Sequence, residues 1–172
     1  MPSGRTHDFI TIVTGAAGST AALNVGLPDF GPTTAIVLLG SYLVSGLLFS
    51  PDLDLRSAPY RRWRKLRWMW IPYQRMVPHR GWVSHSLLFG PVLRVIYFAG
   101  VMSLLALIAL GLLNLMVPVD PTGLMFKITA TISEFISLHP AAVAYAATGF
   151  ILGGAAHTIA DVVSSAFKRL AK

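Results

Sequence analysis

Long apolar stretches constrain this chain more than any other feature of its sequence, because about 20 apolar residues in a helix can cross a membrane. Four stretches have that character, over residues 9–27, 33–49, 87–117 and 141–166. Only 12% of the residues are charged, whereas a soluble domain has about 25%. So few charges cannot cover a water-soluble surface, and a hydrophobic fraction of 54% excludes a disordered chain. The sequence therefore predicts one all-α membrane domain over residues 1–172, an integral membrane four-helix bundle.

The four stretches are not alike. Residues 9–27 contain many small and polar side chains, which is typical of a helix packed against other helices. Residues 87–117 are longer than a hydrocarbon core of about 30 Å requires, so we expect the first turns, with Pro91 and Arg94, at headgroup depth. Residues 124–138 mix apolar and polar side chains, which predicts an amphipathic helix lying on the surface.

Basic residues indicate the orientation of the chain. Eight Lys and Arg residues lie between positions 56 and 80 and three more between 168 and 172, whereas the segments 28–32 and 118–140 hold only Lys127. The positive-inside rule then places both termini and a loop over residues 50–86 in the cytoplasm, which requires an even number of spans. Clustering of the +7 net charge in this way favours a basic patch beside the membrane and argues against a nucleic-acid partner.

Aromatic residues are mixed with the basic residues of the 50–86 loop. We expect them to form an interfacial belt against anionic lipid headgroups, and they are Trp63, Trp68, Trp70, Tyr73 and Trp82. The alternative is that the basic run is a topology signal with no further role. The first eight residues lack the pattern of a signal peptide, so we expect that no segment is removed there.

Potential metal ligands converge on the same side of the predicted membrane. One pair opens the first stretch, one follows the second, one precedes the third, and one lies near the inner end of the fourth. The topology was inferred from the Lys and Arg residues alone, so the convergence of His and Asp residues on one side is an independent observation. The sequence predicts a divalent metal site from eight residues: His7, Asp8, Asp52, Asp54, His79, His85, His157 and Asp161. His139 lies on the opposite side and is not included.

Each pair also has a structural interpretation, which the sequence leaves open. His157 and Asp161 are one helical turn apart, a spacing that suits two metal ligands or a hydrogen-bonded pair between helices. Asp52 and Asp54 follow a proline; in extended backbone their carboxylates point the same way, but a helix cap or turn is equally compatible. The remaining four could be helix-start or interfacial side chains: His7, Asp8, His79 and His85.

The ligand types restrict the metal and suggest a reaction. Imidazoles and carboxylates without any cysteine suit Zn, Mn or Fe, and Mg less well. The eight residues are more ligands than one tetrahedral ion binds. Two ions bridged by a carboxylate would use them, and such a pair would activate water and hold the oxygens of a phosphoryl group. Arg80, between two of the histidines, is the candidate for binding phosphate. Asp54, or alternatively Asp161, is the candidate general base if it is not a ligand.

An ordered set of short motifs resembles a known family. The motifs are Gly4-Arg5-Thr6-His7-Asp8, Ser50-Pro51-Asp52-Leu53-Asp54-Leu55, Arg62-Trp63 with Trp70-Ile71-Pro72-Tyr73-Gln74, Pro78-His79-Arg80-Gly81 with Ser84-His85, and Ala156-His157-Thr158 with Asp161. Over residues 4–97 and 150–165 the chain resembles cyanobacterial-type small membrane proteins described as metal-binding. A broader group with similar motifs is the predicted inner-membrane metal-dependent hydrolases, which is distantly similar to the zinc-dependent phospholipase C superfamily. The resemblance implies metal binding, and no catalytic role is transferred from that superfamily.

These observations predict a membrane-embedded, metal-dependent hydrolase that acts on a phosphoester at the cytoplasmic face. A site at headgroup depth beside an Arg- and Trp-rich loop favours a phospholipid or lipid-linked substrate. The alternative is a non-enzymatic, metal-stabilised subunit or assembly factor of a larger membrane complex. A water-accessible site would favour the enzyme, and a closed site would favour the subunit. Metal transport is a weaker alternative, because the outer halves of the spans lack polar residues.

Overall fold

The computed structural model describes residues 3–77, 86–118 and 120–170, and every regular element within those ranges is helical. The α-helices are α1 (Gly4–Val25), α2 (Pro32–Leu48), α3 (Ala58–Arg62), α4 (Trp70–Met76), α5 (Phe89–Asn114), α6 (Pro121–Leu138) and α7 (Pro140–Leu170). Two 3-10 helices, Pro51–Asp54 and Arg64–Met69, lie on either side of α3. The all-α prediction is confirmed.

Three of the described helical segments are long and apolar enough to cross a membrane, namely Pro32–Asp54, Phe89–Asn114 and Pro140–Phe167. The prediction was four, and the difference is α1. This helix forms over most of the predicted stretch 9–27, but its glycine, serine, threonine and asparagine side chains make it less apolar than the other three. Those same small residues allow it to pack closely against its neighbours.

Glycines allow α7 to lie directly against α2. Gly149 and Gly153 are four residues apart on α7, the spacing of small residues typical of close helix pairs. A Cβ atom on Gly153 would strike the backbone carbonyl of Tyr42, and one on Gly149 would strike that of Leu38. The α2–α7 pair is therefore in backbone contact, and it forms the centre of the fold.

The helix α1 contacts both α2 and α7. Its buried residues recur at every fourth position, which places them on one face: His7, Thr11, Gly15 and Ser19. The N-terminus of α1 is fixed by Ser3, whose side chain accepts a hydrogen bond from the backbone N–H of Thr6. Phe9, Ile12 and Val13, on the rest of its surface, are exposed.

Residues 49–77, which follow α2, are folded against one end of the helices. Phe49, Trp70 and Tyr73 are buried there, and Trp70 meets the Phe49 ring edge to face with 5.6 Å between centroids. Trp63 packs on the same group, and its indole N–H donates to the carbonyl of Leu48. Trp70 and Tyr73 thus form a core and not the expected interfacial belt, because each has several aromatic neighbours to pack against. Trp68 is half exposed, and Trp82 lies outside the described residues.

The buried residues of α5 lie near its beginning. Gly90, Pro91 and Arg94 are its buried residues, and its most apolar 18-residue window contains no buried residue. Arg94, which the sequence placed at headgroup depth, is completely buried beside Gly154 of α7. Beyond these first turns, α5 presents an exposed apolar surface.

The helix directions bring four helix ends together. α1 and α5 begin, and α2 and α7 end, on the same side of the fold as the 3-10 helix Pro51–Asp54. At the other side, the hydroxyl of Tyr145 donates to the carbonyl of Pro28, which joins the α1–α2 connection to α7. The predicted metal ligands that the structure describes lie on the first side: His7, Asp8, Asp52, Asp54, His157 and Asp161.

Candidate metal centre

His7, His157 and Asp161 form a buried cluster between α1 and α7. Nε2 of His7 lies 3.2 Å from Oδ1 of Asp161, and Nε2 of His157 lies 3.7 Å from Oδ2 of the same carboxylate. One potential ligand atom from each residue lies within 4.8 Å of the others. Ligand atoms bound to Zn at about 2.0–2.2 Å stand at comparable separations, so one ion could contact all three residues.

The helices position these three side chains directly. His157 and Asp161 are one turn apart on α7, so they project from the same face. His7 reaches them from the first turns of α1, and the two imidazole rings stack with 3.8 Å between centroids and 14° between planes. The i,i+4 spacing on α7 was visible in the sequence, whereas the ring stack depends on how α1 packs.

Asp52 and Ser50 approach His157 from the segment after α2. Oδ2 of Asp52 lies 3.4 Å from Nε2 of His157, while the hydroxyl of Ser50 is hydrogen bonded to Nδ1 at 3.1 Å. A partner on one ring nitrogen fixes the orientation of the other, as it does for histidine ligands of metals. Nε2 of His157 is therefore held towards the carboxylates. The sequence contained no signal for Ser50 beyond its place in a motif.

Several buried atoms of this cluster have no hydrogen-bond partner within the described part of the chain. They are Nδ1 of His7, Nε2 of His157 and both carboxylate oxygens of Asp161. A buried polar atom without a partner costs on the order of 1–3 kcal/mol, and a charged one costs more. An ion bound by Nε2 of His157 and the Asp161 carboxylate would remove that cost for those atoms. The donor set of imidazole nitrogen and carboxylate oxygen therefore fits a divalent metal ion.

The protonation of His7 also favours metal binding. Burial lowers the pKa of His7 below its ordinary value and the neighbouring His157 lowers it further, while Asp161 and Asp52 act in the opposite direction. A lowered pKa keeps the imidazole neutral at neutral pH, which is the form that binds a metal. The position of His7 thus prepares it to be a ligand.

Two residues of the cluster, His7 and His157, line a cavity of about 220 Å³, which we call the metal cavity. His7, Asp52 and His157 line it, together with Asp8 and Arg61. Since a water molecule occupies about 30 Å³ in the liquid, the cavity has room for several. The site is thus accessible, which is the property that the sequence analysis associated with an enzyme.

Asp8 lies on the wall of the metal cavity but faces a cation. Its Oδ2 forms an ion pair with Nη2 of Arg62, and Nη1 of Arg62 donates to the carbonyl of Leu47 at 2.8 Å. Arg62 therefore ties the beginning of α1 to the end of α2. The sequence could not predict this pairing, because the two residues lie far apart along the chain.

Asp54 is buried but does not face the metal cavity. The backbone at Asp52 and Asp54 forms a 3-10 helix, not the extended segment considered from the sequence, so the two carboxylates do not share one direction. Asp54 does not line the metal cavity; it acts electrostatically on Tyr73 and Arg94. Burial raises the pKa of the Tyr73 hydroxyl, and the charge of Arg94 opposes that rise. Sequence reasoning missed Arg94 as part of this region, although a lone arginine in an apolar stretch was a signal.

The structure thus brings together four of the eight predicted ligands and separates two others from them. His7, Asp52, His157 and Asp161 meet, Asp8 pairs with Arg62, and Asp54 faces away. His139 is exposed and packs on Phe135 at the other side of the fold. Three predicted site residues lie outside the described residues: His79, Arg80 and His85.

Known proteins with similar sequences support a metal site. A relative from Aquifex aeolicus (strain VF5), described as an uncharacterized protein, is 31% identical over 129 residues, which cover 74% of this chain and 89% of the relative. No solved structure matches the chain. The family described as uncharacterized metal-binding proteins matches residues 2–171. Because this match extends over almost the entire sequence, the chain belongs to the DUF2227 family of uncharacterized metal-binding proteins.

Proposed function

We propose that this protein is an integral membrane, metal-dependent hydrolase that cleaves a phosphoester at the cytoplasmic membrane face. The observation that carries this proposal is that His7 and His157 of the buried cluster line the metal cavity together with Asp52. Structural metal sites are closed by protein ligands, whereas catalytic sites keep a position open for water or substrate. The resemblance of the sequence motifs to those of the predicted inner-membrane hydrolases also supports this chemistry.

Four residues would hold the metal ion. His7, His157 and Asp161 provide nitrogen and oxygen atoms, and Asp52 lies beside His157 as a further ligand. A divalent ion such as Zn, Mn or Fe supplies a Lewis acid and lowers the pKa of water. Ser50 holds the His157 ring in place through its bond to Nδ1.

Positive charge for the substrate comes from Arg61. Its side chain lines the metal cavity, and its Nη1 donates to the carbonyl of Arg56 at 3.2 Å. A guanidinium carries five N–H donors, so this contact orients the group while other donors face phosphoryl oxygens. We assign the same role to Arg80, as the sequence suggested. Asp52 lines the cavity and Asp54 does not, so we assign proton acceptance to Asp52 if it is not a ligand.

The membrane setting rests on the apolar helices and the basic residues. Three helical segments are long and apolar enough to span, and α1 would be the fourth, with its buried stripe towards α2 and α7 and Phe9, Ile12 and Val13 towards lipid. Both termini and the segment between α2 and α5 would then be cytoplasmic. The metal cavity lies where these helices end, so a phospholipid or lipid-linked substrate could present its phosphate there.

Metal analysis and a substrate panel test the proposal. The protein purified in detergent should contain a divalent metal and hydrolyse phosphomonoesters, phosphodiesters or lipid phosphates in a metal-dependent way. Asp161→Asn should lose metal and turnover together, while His139→Gln, on the other side of the fold, should keep both. A folded, metal-loaded protein without turnover on any of these substrates would contradict the proposal.

The second candidate function is a metal-stabilised subunit of a membrane complex. The exposed apolar surface of α5 favours it, because such a surface can meet another membrane protein as well as lipid. Purification in a mild detergent distinguishes the two functions. Co-purification of a stoichiometric membrane partner, together with absence of turnover, supports the subunit.

A further inference from the structure

A second cavity, of about 780 Å³, lies beside α3 and shares no lining residue with the metal cavity. Four basic residues line it, and we call it the basic cavity: Arg56, Arg64, Lys65 and Arg67. Tyr60 and Trp68 lie on its wall as well. Its size is more than three times that of the metal cavity, so it can hold a larger group.

The described part of the chain gives the positive charges of the basic cavity no acidic partner. Within residues 3–77, 86–118 and 120–170, none of the four basic residues forms an ion pair, and no acidic side chain lines the cavity. Arg62 of the same segment does pair, with Asp8, so acidic partners are within reach of this part of the chain. Like charges around one space repel each other, and an anion between them would relieve that repulsion.

The backbone at Arg64 supports a role for its side chain. Arg64 has a φ of +49°, in the left-handed region that residues other than glycine rarely adopt. This conformation begins the 3-10 helix Arg64–Met69 and accompanies a side chain that lines the cavity. Glycine would fit this backbone conformation better, so an arginine here carries an energetic cost.

Exposed apolar side chains lie next to the basic cavity. Leu66 and Trp68, on the same 3-10 helix, are 52% and 50% exposed, and Ile71, which lines the cavity, is 39% exposed. A site for a free anion in water needs no such apolar neighbours. Arg and Lys beside exposed Trp, Leu and Ile are instead suited to the boundary between headgroups and acyl chains.

We propose that the basic cavity binds the phosphate headgroup of an anionic phospholipid, with the acyl chains towards Leu66, Trp68 and Ile71. This site goes beyond the proposed hydrolysis, because it lies apart from the metal cavity and involves none of the metal ligands. It would fix the segment between α2 and α5 to the membrane surface. It does not depend on whether the metal centre is catalytic.

Lipid binding to charge variants tests this site. The full-length protein is placed in nanodiscs of phosphatidylcholine with or without phosphatidylglycerol, and bound phosphatidylglycerol is measured by native mass spectrometry and by the melting temperature. The variant R64Q/K65Q/R67Q should lose on the order of a hundredfold in affinity for phosphatidylglycerol. The matched control R5Q/R75Q/K127Q removes three exposed charges outside the cavity and should bind as the native protein does. Equal losses in the two variants would overturn the proposal.

The single variant Arg64→Gly separates binding from folding. Glycine suits the positive φ, so the variant should be at least as stable as the native protein while its affinity for phosphatidylglycerol falls about fivefold. Metal content should not change, which separates this test from that of the hydrolase. Unchanged lipid affinity in Arg64→Gly would overturn the proposal. Equally tight binding of inorganic phosphate would overturn it too, because the site would then bind a free anion.

Discussion

His7 and His157 lie ring against ring, 3.8 Å apart, although one comes from the first turns of α1 and the other from the second half of α7. Each ring has a nitrogen without a hydrogen-bond partner in the part of the chain that the structure describes. Asp161 lies against both rings. A metal ion at this place would therefore connect two helices as well as prepare a reaction.

Removal of single ligands should lower the metal content. We expect His7→Gln, His157→Gln and Asp161→Asn each to lose most of the bound metal, because each removes one of the three clustered ligand atoms at the centre of the site. His139→Gln is the matched control, since His139 is exposed on the other side of the fold. Elemental analysis of the purified variants gives the answer, and equal metal loss in all four variants would contradict the assignment.

Metal should stabilise the folded protein. Because the ion binds atoms that meet only in the native state, its addition at about 100 times its Kd should stabilise by about 2.7 kcal/mol. The melting temperature in detergent, measured with chelator and with added metal, checks this. Asp161→Asn should melt at the same temperature under both conditions, and a metal-induced rise in that variant would point to another site.

Ser50 should act on the metal through His157. We expect Ser50→Ala to weaken metal binding by about 10- to 100-fold, because loss of a hydrogen bond to the second ring nitrogen commonly has that effect. Competition with a chelator of known affinity measures the change. Ser41→Ala is the control, as the Ser41 hydroxyl bonds only within α2, to the carbonyl of Leu38. Equal affinities in the two variants would exclude this positioning role.

Arg61 should affect turnover and not metal content. If the site is hydrolytic, Arg61→Ala should reduce kcat/KM by more than about tenfold, because a charge-assisted contact to phosphate contributes roughly 1.5–3 kcal/mol. Arg61→Lys should recover only part, since the ammonium keeps the charge without the planar fork. Arg75→Ala, an exposed basic residue away from the metal cavity, is the control. Loss of metal in Arg61→Ala would indicate a structural role instead.

The close packing of α7 on α2 should be sensitive to a single methyl group. Gly153→Ala should destabilise by several kcal/mol, because its Cβ would meet the backbone carbonyl of Tyr42 and a backbone cannot move easily. Gly40→Ala has open space around its Cβ and should be neutral or stabilising by up to about 1 kcal/mol. The melting temperatures of the two variants test this expectation. A Gly153→Ala variant as stable as the native protein would show that the helices can separate.

The sequence predicted the helices better than the contacts between them. The stretch 33–49 corresponds closely to α2, and 141–166 lies within α7, because continuous apolar character is a local property. The position of α1 was also predicted. However, α1 is not among the three helical segments that are apolar enough to span a membrane, because its small polar residues lower its hydropathy without breaking the helix. The folded segment between α2 and α5 was missed, since buried Trp70 resembles an interfacial tryptophan in sequence.

The candidate site was only partly predictable, because most of its contacts join residues that are distant in the sequence. His157 and Asp161 share a helix face by spacing alone, whereas the approach of His7 and Asp52 depends on tertiary packing. The pairing of Asp8 with Arg62 and the burial of Asp54 required the fold, because local sequence does not encode which cation lies next to a carboxylate. Arg61 was not distinguished from its basic neighbours, and only the cavity separates it from them.

The position of the cluster between α1 and α7 has a consequence for biosynthesis. His7 leaves the ribosome early, but Asp161 and His157 follow only after α2 to α6 have been made. A nascent chain that still lacks α7 can therefore present only one of the three clustered ligands at its proper place. Metal uptake then becomes a late step of maturation, and an interrupted or misinserted chain stays without metal. Occupancy would distinguish finished molecules from incomplete ones for the quality-control proteases of the cell.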